Sequence, residues 1–233
     1  MKKFLAIVFI CSASVFAGWD YFPVIEYGKG EAKVAFVEAR QGNRGGENLQ
    51  DFKIRYSPME KLELMSKVFG DKLGNYVLGA RYQVMPAISA GLDLGFPISS
   101  TAWSLTPNAQ YSMPLTEALI LGSNVGISIY TEDANNNKHG TDLNAGGELD
   151  LAMGKSTVTF GLDINTGLTQ SERNGTKRSL KSDSRGLEFV PKIGYVANPG
   201  NLSLGTNIGM AFGEDAGHDN YTTFISVEFA VKF

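Results

Sequence analysis

Thr141-Asp-Leu-Asn-Ala-Gly-Gly-Glu-Leu-Asp-Leu-Ala-Met153, then Gly154-Lys155, then Ser156-Thr-Val-Thr-Phe-Gly-Leu-Asp-Ile-Asn165 is the stretch that decides the fold. Leu143, Ala145, Gly147, Leu149, Leu151 and Met153 alternate with Asp142, Asn144, Gly146, Glu148 and Asp150. After the two-residue break, Val158, Phe160, Leu162 and Ile164 alternate with Thr159, Gly161, Asp163 and Asn165. A period of two places each set on its own face of a strand. The arms are expected over 141–153 and 156–168. A tilted transmembrane strand needs about 9–11 residues, whereas strands of soluble domains usually run about 5–6. Length therefore favours a membrane barrel over a soluble sandwich.

The same reading extends in both directions. Strands are expected at 31–40, 48–56, 61–69, 75–84, 87–96, 103–113, 118–130, 141–153, 156–168, 187–197, 201–212 and 221–233. In the first, Ala32-Val34-Phe36 and Lys33-Ala35-Val37 compete as the apolar face. Connections alternate in length. Ser57–Glu60, Met85-Pro86, Pro114–Glu117, Gly154-Lys155 and Asn198–Gly200 are short, while Thr131–Gly140 and Thr169–Gly186 are long. Short turns at one end and long loops at the other characterise an outer-membrane barrel. The expected fold is thus all-β, a transmembrane antiparallel up-and-down barrel of about twelve strands over 31–233. An even strand count puts both termini on the periplasmic, short-turn side. Tyr56, Tyr82, Tyr111, Tyr195 and Phe233 end strands there and are expected to form a membrane girdle, where a ring keeps its body in lipid and its edge in water. Phe96, Trp103, Phe212 and Tyr221 are candidates for the opposite girdle.

Lys2 and Lys3 precede the apolar run Phe4–Phe16, and Ala17-Gly18 follow. A basic start, a short apolar stretch and a small residue predict a cleavable signal peptide over 1–17, because a spanning helix needs about 20 apolar residues. Residues 18–30, with Trp19, Tyr21 and Phe22, are read as a periplasmic segment. Cys11, the single cysteine of the 233-residue chain, leaves with the leader, which removes disulfide and thiol chemistry from the mature protein. The net charge of −3 argues against a nucleic-acid partner.

The leader, the alternating strands and the terminal Phe233 together resemble Gram-negative outer-membrane β-barrels. The last strand, Val227-Glu-Phe-Ala-Val-Lys-Phe233, resembles the signal that the barrel assembly machinery reads in that class. The resemblance implies outer-membrane lipid, lipopolysaccharide and that machinery as partners. More narrowly, Arg55-Tyr56, Leu62-Glu-Leu64, Gly70-Asp71 and Leu78-Gly-Ala-Arg-Tyr82, with the run to Pro97, are similar to the outer-membrane family named for the meta pathway of phenol degradation. That resemblance implies a pore or uptake barrel for small molecules and carries over no functional residue.

With apolar faces toward lipid, the polar faces line the lumen. Lys53, Arg55, Lys61, Lys67 and Arg81 are expected on one wall, with Glu63 among them. Asp93, Glu148, Asp150 and Asp163 are also expected to line the pore, and Asp142 with them. In a twelve-strand barrel strands two to four lie opposite strands eight and nine, so a basic wall would face an acidic one and select polar or zwitterionic solutes. Lumen glycines, Gly79, Gly91, Gly95, Gly122, Gly126, Gly161 and Gly209, either open space or relieve curvature.

Other chemistry is poorly served. His139 and His218 both fall in expected loops, and no triad-like spacing surrounds them. Asp133-x-Asn135-x-Asn137 starts like a calcium loop, but Lys138 stands where the turn glycine belongs and Asn144 where the bidentate glutamate does. Loop 169–186, with Arg173, Lys177, Arg178, Lys181 and Arg185, could constrict the pore, bind lipopolysaccharide phosphates or simply be a solvated polar loop. The expected protein is a monomeric outer-membrane barrel for passive or selective passage of small solutes, with no enzymatic activity and no cofactor. The alternatives are a structural or adhesive barrel presenting its loops and, at lower weight, a lipid-modifying enzyme.

Overall fold

The computed structural model describes residues 24–41, 47–70, 73–97, 102–180, 185–213 and 221–233. The expected leader, Trp19, Tyr21, Phe22, Lys181 and His218 lie outside them, as does the side chain of Tyr221.

The chain forms β1 (Gly30–Gln41), β2 (Glu47–Met59), β3 (Leu62–Gly70), β4 (Asn75–Met85), β5 (Ile88–Pro97), β6 (Ser104–Pro114) and β7 (Leu119–Tyr130). Then come β8 (Thr141–Met153), β9 (Ser156–Gly167), β10 (Ser171–Arg173), β11 (Thr176–Arg178), β12 (Glu188–Ala197), β13 (Leu202–Gly213) and β14 (Tyr221–Lys232). Twelve of these close into one barrel, each antiparallel to its neighbours in chain order, and β10–β11 stand apart as a small hairpin. Closure is made by β1 against β14, in continuous register from Glu31↔Lys232 to Gln41↔Thr222. A closed sheet leaves no edge strand with unpaired amides, which is the condition for a β-structure in lipid.

The faces separate as the alternation requires. Phe52, Ile54, Leu78, Leu92, Ile127, Phe160, Leu162, Ile193, Ile208 and Phe229 are exposed on the outside. The competition in β1 is resolved by register: Phe36 is 50% exposed, while Lys33, Ala35 and Val37 are buried on the inner face. Strand ends fall within a residue or two of expectation except in β2, which runs on through Ser57-Pro58 to Met59. A register shift between Tyr56 and Met59 accommodates the proline, whose missing amide is tolerated at a bulge.

Turn chemistry fixes one end. Met153 pairs with Ser156, so Gly154-Lys155 is a two-residue hairpin loop, and Gly154 has φ +65°. Glycine at the first central position suits the turn twist that antiparallel strands require. Both chain ends gather at this short-turn mouth. The Gly30 amide donates to the Phe233 carbonyl (2.8 Å), the Phe233 amide donates back (3.0 Å), and the Phe233 ring covers the face of Gly30.

At the long-loop mouth, loop 169–186 holds secondary structure of its own. The loop carries β10–β11, and Lys138 and Glu172 exchange two 2.8 Å backbone hydrogen bonds. Two long connections are thereby joined into one block.

Candidate functional site: the barrel interior

The inner wall is built from the polar positions of the alternating strands. Lys53, Arg55, Glu148, Asp150 and Asp163 are buried on it, and Lys67, Arg81 and Asp93 share the same face by register. Lys61 is not on the wall. It is exposed in the β2–β3 turn with φ +66°, because β3 begins only at Leu62.

The walls are not bare opposed charges. Arg55 Nη2 lies 2.9 Å from Glu31 Oε1, and Glu63 lies between Arg55 (3.7 Å) and Arg81 (3.3 Å). Lys67 pairs with Asp51 at 2.9 Å, Lys33 with Glu228 at 2.8 Å, and Lys192 with Asp163 at 2.8 Å. Asn108 Nδ2 donates to Asp93 Oδ2 at 2.9 Å. These pairs all join neighbouring strands, which lie close enough for such pairing. The picture of a basic wall, with Glu63 among its cations, facing an acidic one is therefore corrected: among the described side chains on the inner face of β1–β5 and β14 away from the rims, Lys33, Lys53, Arg55, Lys67 and Arg81 meet an equal number of carboxylates, Glu31, Asp51, Glu63, Asp93 and Glu228. Charge imbalance is confined to β8, β9 and β12. There Asp142, Glu148, Asp150, Asp163 and Glu188 outnumber Lys192 and the rim residue Arg185.

Register adds two features. Lys33 stands directly opposite Lys53, and Lys53 directly opposite Lys67, a like-charge row that is unfavourable by itself and is offset by Glu228 and Asp51. Along other rows, large side chains alternate with glycine, as in Arg81, Gly91, Asn108, Gly126, Asn144 and Glu148, Gly161, Lys192, Gly209, Phe224. A Cβ at Gly91 would meet Asn108, one at Gly161 the Lys192 stem, and one at Gly209 the Phe224 ring. These glycines let a cross-strand side chain lie flat along the wall.

Toward the long-loop mouth the inner face turns apolar. Ala35, Val37, Ala39, Leu49, Val190, Ala211 and Phe224 form one buried cluster. At the other mouth the chain before β1 bends toward the lumen, where the Ile25 amide donates to Glu63 Oε2 (3.2 Å). The girdle candidates Tyr56, Tyr82, Tyr195 and Phe233 are exposed, and Tyr111 partly so, at the short-turn rim. The Tyr195 hydroxyl reaches Ser156 Oγ at 2.8 Å.

The reading from sequence leaves out Glu31, Lys33 and Asp51, the first two because β1 offered two equivalent faces. Lys192 and Glu228 stand at inward positions of strands whose inner faces also carry Val190, Val196, Phe224 and Ala230, which blurs the alternation there. Arg185 bears no periodic signal. Its guanidinium donates to Asp142 Oδ1 (Nε 2.8 Å, Nη2 2.5 Å), to the Thr169 and Thr141 carbonyls (2.9 Å each), and to the carbonyl of His139. The His139 ring lies against Tyr130 (4.3 Å between centroids) and 3.1 Å from Asp142. The calcium-like stretch closes on itself: Asp133 Oδ1 accepts from the Asn135 and Asn137 amides at 2.8 and 2.9 Å.

Comparison with solved structures finds the same fold. A crystal structure of an outer-membrane channel from Pseudomonas putida F1 aligns over 94% of this chain and 100% of its own, with a TM-score of 0.70 and 12% identity. The NanC porin aligns over 87% and 100%, with a TM-score of 0.62 and 9% identity. The KdgM porin, in complex with disordered oligogalacturonate, aligns over 86% and 99%, with a TM-score of 0.60 and 12% identity. At such identities the likeness is one of fold. No family model matches the sequence, and no curated protein matches it.

Proposed function

We propose that the protein is a pore of a Gram-negative outer membrane, passing small solutes passively or with selection, with both chain ends in the periplasm. One observation carries this reading: a closed barrel is apolar outside and charged inside. Lipid accepts the first surface. The second is a poor choice for stability alone, because a buried ion pair seldom outperforms apolar packing, and it suits a wetted path for solutes. The likeness to structures described as outer-membrane channels and porins supports the reading. So does the resemblance of the stretch from Arg55 to Pro97 to the meta-pathway family, whose implication is a small solute. In this reading lipopolysaccharide surrounds the long-loop rim, the assembly machinery reads Val227–Phe233, the barrel works as a monomer, and no catalytic step or cofactor takes part.

The test is single-channel recording of refolded protein in a planar bilayer, after a heat-shift gel establishes a folded barrel. Discrete conductance steps are expected, and Arg81→Glu is expected to shift the reversal potential toward cations. A folded barrel that never conducts overturns the pore reading. The joined loop block favours a second reading, presentation of loops to a surface partner. Removing residues 171–178 would then abolish binding to that surface while conductance stayed the same.

A further inference from the structure

We infer that the β8–β9 wall, just inside the short-turn mouth, holds a subsite for the ammonium group of a solute, built from Glu148, Asp150 and Thr159. The inference deepens the pore reading and rests on it for its physiological setting. Three observations support it.

First, this wall carries the charge imbalance of the lumen, whereas the charges of the opposite wall are balanced. Second, Asp150 and Thr159 are direct cross-strand partners, so their side chains leave the sheet on the same inner face about 5 Å apart at Cβ. Thr159 is fully buried. Neither its hydroxyl nor Asp150 Oδ1 has a hydrogen-bond partner among the described residues, while the Asp150 carboxyl hydrogen-bonds with Glu148, so both atoms are left for water or a ligand to complete. Third, Glu148 lies two residues before Asp150 on the same face, opposite Gly122 on one side and, on the other, Gly161, over which the Lys192 stem lies.

The site offers oxygen only, and an ionised carboxylate accepts without donating. An ammonium brings three N–H donors and no acceptor, which matches three oxygens on one wall. Lys192, held 2.8 Å from Asp163 on the same wall, is the protein's own instance of that pairing. A hard metal ion fits less well: calcium takes about 6–8 oxygens, and no group of three ligating side chains occurs among the described residues.

The experiment uses the whole folded barrel and putrescine as the probe. In a bilayer under a potassium chloride gradient the wild type is expected to prefer cations, and millimolar putrescine is expected to reduce the potassium current. Glu148→Gln with Asp150→Asn should lower the cation preference and weaken the block about tenfold, the usual effect of losing a charge-assisted hydrogen bond. Thr159→Val should weaken the block while leaving the reversal potential unchanged, which a purely electrostatic wall would not produce. Calorimetric titration of putrescine into the folded barrel in detergent supplies a readout independent of conduction. Binding without conductance would overturn the pore and keep the subsite. Conductance with equal block in wild type and variants would overturn the subsite and keep the pore. Calcium displacing putrescine at equal concentration would overturn the ammonium assignment.

Discussion

Arg185 is the residue on which the long-loop rim depends. One buried guanidinium satisfies the Asp142 carboxylate and three backbone carbonyls from β8 and two loops. Removing the guanidinium takes a donor from three carbonyls and leaves Asp142 with His139 alone, at a cost of about 1–3 kcal/mol for each group left unsatisfied. Arg185→Ala is therefore expected to lower the urea midpoint of the folded barrel, and adding Asp142→Asn should recover part of the loss. Equal midpoints for wild type and Arg185→Ala would show that the rim does not depend on this contact. Asp133 works at a smaller scale. Hydrogen bonds from the Asn137 side chain first, then from the Asn137 and Asn135 amides, hold its carboxyl below the usual carboxylate value. A group depressed in the folded state stabilises the loop at pH above its unfolded value, about 3.9, and loses that contribution as pH falls through the folded one. Amide exchange at Asn135 and Asn137 should stay slow down to that region and quicken below it. Asp133→Asn keeps the turn geometry but should remove the pH dependence.

At the scale of elements, the inner rows set what each strand tolerates. A methyl at Gly161 meets only the flexible stem of Lys192, but one at Gly209 meets the Phe224 ring and the Pro191 carbonyl. Gly161→Ala should cost little, whereas Gly209→Ala should cost about 1–3 kcal/mol as overpacking, measurable as a difference in unfolding midpoints. Equal losses at the two sites would contradict the flat-lying arrangement. Pro107 and Pro191 show how the strands absorb imperfect residues. The β6–β7 ladder lapses between Leu105 and Asn108, and Thr106 Oγ1 bridges the lapse to Ser128 Oγ at 2.9 Å.

For the whole molecule the decisive property is its inverted polarity. Leu162 faces outward in the middle of β9 and Asp163 faces inward beside it. Leu162→Arg should destabilise the barrel in lipid by about 2–4 kcal/mol, the usual cost of a cation on the lipid face at mid-depth. Asp163→Asn should change ion preference and also cost stability, because it leaves the buried Lys192 ammonium without its carboxylate. A Leu162→Arg barrel of unchanged stability in bilayers would place that face away from lipid.

Strand number, facing and the short and long connections were legible in the sequence, because alternation at period two is a local property and lipid enforces it on one face along every strand. Lys53, Arg55, Lys67, Arg81, Asp93, Glu148, Asp150 and Asp163 could be placed inside by that rule alone. β1 could not, since both its faces carry small apolar residues, and only pairing with β2 and β14 sent Lys33 inward. Lys61 was misplaced because strand and turn differ there by one residue. The sequence also could not say which charges meet. Glu63 between Arg55 and Arg81, the lysine row, the glycines beneath Asn108, Lys192 and Phe224, and the Arg185 clamp all join residues from different strands or distant loops. Which residues become neighbours follows from cross-strand register and barrel closure. Those are set by the sheet as a whole, and no single segment encodes them.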